Sequence, residues 1–80
     1  MRIPRDLTGA ELVKALAGLG YEVTRQSGSH MRLSTQVHGV HHVTEPNHDP
    51  LRVGTLSAIL SAVAAHHGMT RDVVLQRLFD

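Results

Sequence analysis

The segment Tyr21-Glu22-Val23-Thr24-Arg25-Gln26-Ser27-Gly28-Ser29-His30-Met31-Arg32-Leu33-Ser34-Thr35 decides the fold. Tyr21, Val23 and Arg25 alternate with Glu22, Thr24 and Gln26, and a second alternating run extends from Ser29 to Thr35. A period of two is the signature of a strand. Ser27-Gly28 punctuates the two runs, and Gly28 is free to take the positive φ that a tight hairpin turn needs. On the second run Met31 and Leu33 share one face while His30, Arg32 and Ser34 point the other way. With the apolar pair packed inward, His30 and Arg32 stand on an open face.

Before this hairpin, Thr8-Gly9-Ala10-Glu11 reads as a capping box, in which the Thr8 hydroxyl and the Glu11 carboxylate each accept from a free backbone N–H. Leu12, Val13, Leu16 and Leu19 follow as one apolar stripe, which predicts a helix from Gly9 to Gly18, stopped by Gly20. After the hairpin, Val43 and Thr44 suggest a short third strand, His41 to Glu45, ended by Pro46, which cannot donate to a ladder. Asn47-His48-Asp49-Pro50 is a turn or loop. Leu56, Ile59, Leu60 and Val63 then predict a helix from Gly54 to His67, stopped at Gly68. Thr70 is placed to cap a short last helix carrying Val73, Val74, Leu75, Leu78 and Phe79. The order α-β-β-β-α-α implies an α+β fold: a three-stranded antiparallel sheet with the helices packed on one face and a short C-terminal helix. No repeat, low-complexity tract or linker divides it, so residues 1–80 are expected to form a single domain.

The composition narrows the function. A chain of 80 residues buries only ~60–65% of its unfolded surface. It has no Cys, which excludes disulfide frameworks, thiol catalysis and Fe–S ligation. Tyr21 and Phe79 are the only aromatic residues, too few for a platform on which bases stack. The formal net charge is +1, and protonation of all seven His would take it to 1 + 7 = +8. Bulk charge therefore does not predict nucleic-acid binding at neutral pH, but affinity for anions would rise as imidazoles protonate. No apolar run reaches the ~18 residues of a membrane span, and Met1-Arg2-Ile3-Pro4-Arg5-Asp6 lacks a signal-peptide core. A soluble, cytoplasmic protein with no membrane partner is the expectation.

The element order resembles the double-stranded-RNA-binding fold. Gly9 through Gly20, Arg25-Gln26-Ser27-Gly28-Ser29-His30, Val43-Thr44-Glu45-Pro46-Asn47-His48 and Leu51-Arg52-Val53-Gly54-Thr55-Leu56-Ser57-Ala58-Ile59-Leu60 together resemble the HicA toxin family. The most specific pieces are Gly28-Ser29-His30 and Gly54-Thr55-Leu56. This resemblance implies a toxin of a type II toxin–antitoxin system: a metal-independent endoribonuclease that cleaves mRNA and is held inactive by a HicB-like antitoxin. It implies no cofactor and no metal, His30 as the catalytic general acid/base, and Gly28 shaping the turn before it. Met31 stands where many members carry a second His, and the strand alternation turns it inward. Gly28-Ser29-His30-Met31 also has the spelling of an expression-tag scar, but the capped helix and the strand before it form one pattern with the strands and helices after it.

RNA cleavage does not require an enzyme nucleophile, because the ribose 2′-OH lies beside the scissile phosphate. A base, a group that stabilises the phosphorane charge and an acid for the leaving oxygen suffice. His30 and Arg32 offer a proton carrier and a cation about 7 Å apart along a strand; the bland alternative is a solvated pair on a polar sheet face. Arg25, Gly28, Ser29 and Arg32 are the RNA-binding candidates near His30. Arg52 and Thr55 are candidates at the start of the second helix, where free N–H groups bind phosphate unless Thr55 simply caps its own backbone. The second acid/base is left open between His42, expected to share the face of Thr44 and to look across at His30, and His48 in the loop. His38, His41 and His42 do not converge as metal ligands do from i and i+4 of a helix, and His66 and His67 read as helix C-terminal dipole partners. Leu78 and Phe79 either complete the core or form part of an oligomer or antitoxin surface. A non-catalytic RNA- or protein-binding module is the alternative function, and a metal-binding regulator built on His38 to His48 is a third.

Overall fold

The computed structural model describes residues 3–79; Met1, Arg2 and Asp80 of the expected 1–80 domain lie outside them. The chain runs α1 (Gly9–Leu16), a 3₁₀ turn (Ala17–Leu19), β1 (Glu22–Ser27), β2 (His30–Thr35), β3 (His41–Pro46), α2 (Val53–His67) and α3 (Arg71–Phe79). The α+β order is the expected one, and the sheet is antiparallel with strand order β1-β2-β3.

Local chemistry explains the boundaries. The capping box closes as its residues predict: the Thr8 Oγ1 accepts from the Glu11 N–H at 3.1 Å and Glu11 Oε1 accepts from the Thr8 N–H at 3.0 Å. This Thr8 bond holds the Glu11 carboxyl below its ordinary pKa. The first helix is shorter than its apolar stripe suggested, because its last turn tightens into the 3₁₀ segment before Gly20 ends it. Gly68 ends α2, and the Thr70 hydroxyl accepts from the Val73 N–H at 3.2 Å to start α3.

The core lies between the sheet and the helix layer. Leu12 and Leu16 of α1, Leu56, Leu60 and Val63 of α2 and Val74 of α3 are buried against Met31 and Leu33 of β2 and Val43 of β3. Each such aliphatic side chain contributes ~1.5–3 kcal/mol by leaving water. Leu78 and Phe79 pack, partly buried, against this core. Gly9 is required by close approach, since a Cβ there would stand 2.9 Å from the Asn47 side chain and 3.0 Å from its Cα.

The edge strand β1 departs from the alternation read in the sequence. Tyr21 is buried just before the strand, while Val23 is 41% exposed and every residue from Glu22 to Ser27 is exposed. The register slips between Val23 and Arg25: Val23 pairs with Leu33, but Arg25 pairs with Arg32. Such a β-bulge adds one residue to the strand and turns those beyond it over. Arg25, which simple alternation sets beside Tyr21 and Val23, is thereby carried to the face of Arg32.

Candidate functional site on the open sheet face

His30 is placed by its turn. Ser27 pairs with His30, so the loop is the two residues Gly28 and Ser29. Gly28 has φ +58°, and Ser29 has no positive φ, the pattern of a turn with glycine at its first central position. No atom lies within 4 Å of where a Gly28 Cβ would stand, so the requirement for glycine there is conformational rather than steric. The Ser29 carbonyl accepts from the Asn47 N–H, which ties the hairpin tip to the exit of β3.

On β2, Met31, Leu33 and Thr35 face the core and His30, Arg32 and Ser34 the open side, as the alternation predicted. Arg25 and Arg32 are directly opposed on neighbouring strands, with Thr44 on the far side of Arg32. A cross-strand pair puts Cβ atoms ~4.5–5.5 Å apart and like charges there repel. No ion pair to a carboxylate is formed by either guanidinium among the described residues. Arg25, Ser27, His30, Arg32 and Thr44 line one shallow pocket; Arg25 and Arg32 also line a second, larger groove with Glu22, Thr24, Ser34 and His42. The two arginines thus stand between two concavities, the larger of which also carries the Glu22 carboxylate.

The two histidines left open as the second acid/base part company. His42 does share the face of Thr44, but it pairs with Ser34, whereas His30 pairs with Pro46. Four residues of β2 separate the two positions, ~13 Å at 3.3 Å per residue, and His42 Nδ1 is hydrogen-bonded to Ser34 Oγ. His42 therefore does not face His30. His48 lies at the His30 end instead: it follows Asn47, whose N–H bonds to Ser29, and its own carbonyl accepts from Gly9 at 2.9 Å. Arg52 and Thr55 begin α2 in the other layer and do not share the open face. No side chain caps that helix start, so Thr55 does not satisfy its own backbone.

The remaining histidines form a cluster that no sequence pattern announced. The Tyr21 hydroxyl bonds to His41 Nδ1 at 2.7 Å and to His67 Nε2 at 3.1 Å. His66 Nε2 reaches the Val37 and Gly39 carbonyls at 3.0 and 3.1 Å, and its ring stacks on His41 at 4.3 Å. His38 meets His67 edge-on at 5.6 Å. His66 and His67 therefore fasten the end of α2 to the β2–β3 turn rather than serving only the helix dipole. Burial, then the neighbouring imidazoles, lower the pKa of His41 and His67, and burial pushes the Tyr21 hydroxyl up to about 12. Among the described residues no group of three or more His, Asp or Glu is arranged to hold a metal ion.

Glu45 is the other group that the sequence did not single out. It lies on the core face of β3, fully buried, with neither carboxylate oxygen hydrogen-bonded. Burial alone pushes its pKa from 4.5 up to about 7.

Comparison with known proteins adds one finding to this geometry. No curated protein and no solved structure matches the chain significantly. A family profile described as the HicA toxin of bacterial toxin–antitoxin systems matches residues 9–64, a span that begins with α1, contains the whole sheet and the His30 turn, and ends within α2. With its sheet, turn and Gly-Ser-His segment inside that match, the chain belongs to the HicA toxin family.

Proposed function

We propose that this toxin is an endoribonuclease that cleaves mRNA with His30 as general acid/base. The observation that carries the proposal is the placement of His30 at a two-residue turn, in one pocket with the cross-strand Arg25–Arg32 pair. An RNA phosphate on the two guanidiniums would set the adjacent 2′-OH within reach of the imidazole. Removing that proton lets the 2′ oxygen attack phosphorus; the arginines stabilise the extra charge of the phosphorane, and the 5′ oxygen leaves once protonated. Gly28 and Ser29 hold His30 in register, and His48, at the same end of the sheet, is the better placed of the two remaining histidines for the second proton. Arg52 and Thr55 would take a phosphate farther along the RNA. The reaction so written needs no metal. A HicB-like antitoxin would silence the toxin by covering the His30 face, and the setting is the cytoplasm.

The test is induced expression of wild type and His30→Ala, with growth, transcript integrity and folding by circular dichroism followed together. Growth arrest and transcript loss with wild type, and neither with folded His30→Ala, is the expected result. Equal arrest by both removes His30 from catalysis. Intact RNA with purified wild type leaves a binding module, in which phosphate affinity depends on Arg25, Arg32 and Arg52 and tolerates His30→Ala.

A further inference from the structure

The groove beyond Arg25 and Arg32 contains a hydrogen-bond chain that the proposed chemistry at His30 does not use. Thr24 Oγ1 donates to the Arg32 carbonyl at 3.3 Å, Thr24 and Ser34 hydroxyls are 2.9 Å apart, and Ser34 Oγ meets His42 Nδ1. Only one set of protons makes all three bonds. The Thr24 proton is committed to the carbonyl, so the Ser34 hydroxyl must donate to Thr24, and His42 must donate from Nδ1 to Ser34. With Nδ1 donating, Nε2 is the ring nitrogen left to accept a hydrogen bond. The bulge at Thr24 is what permits this, because it puts Thr24 and Arg25 on the open face together, one in the hydrogen-bond chain and one beside Arg32.

The groove therefore offers two guanidinium donors and, ~7 Å along β2 from Arg32, one imidazole acceptor. A ribose-phosphate unit has the complementary groups: phosphate oxygens that accept and a 2′-OH that donates. Resting on the ribonuclease reading of the His30 pocket, we infer that His42, oriented by Ser34 and Thr24, accepts the 2′-OH of a nucleotide next to the scissile one and makes the open face selective for RNA over DNA. His42 is thus a specificity residue, and Ser34 and Thr24 are positioning residues that act through it. The neighbouring Glu22 carboxylate, which also lines the groove, disfavours a second phosphate at this station and leaves the uncharged sugar as the group that fits.

The experiment measures binding, so that it does not depend on cleavage. Fluorescence anisotropy with matched single-stranded RNA and DNA oligonucleotides of one uracil-free sequence compares His30→Ala with His30→Ala/His42→Ala. A neutral hydrogen bond corresponds to about a three- to tenfold preference. The expected result is RNA favoured by that factor in His30→Ala and a ratio near one in the double variant, with unchanged circular dichroism. His30→Ala/Arg32→Ala should weaken RNA and DNA alike and keep the ratio, because both polymers carry the phosphate. Ser34→Ala in the same background should reduce the ratio in part. An RNA-to-DNA ratio unmoved by His42→Ala overturns the inference and leaves the Thr24–Ser34–His42 bonds as a cross-strand staple. Cleavage by wild type, followed separately, reports on the His30 proposal: loss of that activity with the ratio still dependent on His42 would refute catalysis and retain the ribose contact.

Discussion

Replacing Glu45 by Gln should raise the stability of the toxin relative to wild type progressively as pH climbs from below 5 to above neutral. The carboxyl is fully buried without a partner, and its pKa rises from 4.5 to about 7. The folded state therefore holds a proton that the unfolded chain has already released. A folded pKa raised above the unfolded one makes a contribution that is whole below 4.5 and is lost as pH climbs to about 7. Integrating the proton difference gives a loss of about 1 kcal/mol at pH 5.5 and about 3 kcal/mol at pH 7 and above. Gln cannot ionise; its amide, equally unpartnered, imposes an offset that does not vary with pH. The decisive quantity is thus the change with pH in the difference between variant and wild type. Urea unfolding followed by circular dichroism from pH 4.5 to 8 reads it, and subtraction cancels His41 and His67, which both chains share. The difference should grow by about 3 kcal/mol in favour of Gln, or roughly 10–20 °C in Tm for a domain of this size. A flat difference across that range would refute the argument, because it would mean that ionised Glu45 is solvated or paired in the fold.

The histidine cluster works in the opposite sense: the folded pKa values of His41 and His67 lie below 6.5, so their contribution is full above that pH and is lost as acid is added. In the Glu45→Gln background, where the carboxylate no longer interferes, thermal melts from pH 7.5 to 5 should show a Tm that falls on acidification. Tyr21→Phe removes the hydroxyl shared by His41 and His67; it should cost ~1–3 kcal/mol in urea unfolding, because a buried ring nitrogen loses its partner. Gly28→Ala keeps every contact but strains a backbone at φ +58°, so a loss of ~1–2 kcal/mol is expected, with RNA cleavage reduced more than RNA binding as His30 shifts.

The line between what is written in the chain and what the fold decides can be drawn at particular residues. The α-β-β-β-α-α order, the capping box at Thr8, the Gly28 turn and the outward position of His30 and Arg32 are local properties. They depend on capping geometry, on a glycine between two runs of period two and on side-chain alternation along one strand, none of which needs a distant partner. Arg25 shows where local reasoning ends. An arginine on what alternation makes the core side of a strand is a signal of a bulge, but its position is settled by pairing with β2, and only then do Arg25 and Arg32 become neighbours. His42 and His48 look equivalent in the chain; the β2–β3 register sends one to the far end of the sheet, and the Ser29–Asn47 bond keeps the other at the His30 end. The cluster of Tyr21, His38, His41, His66 and His67 joins segments up to 46 residues apart, and the isolation of Glu45 depends on helices closing over the sheet. Local periodicity specifies which face a side chain takes within its own element, whereas which charges, rings and carboxylates share a site is decided by packing between elements, where long-range register and burial act together.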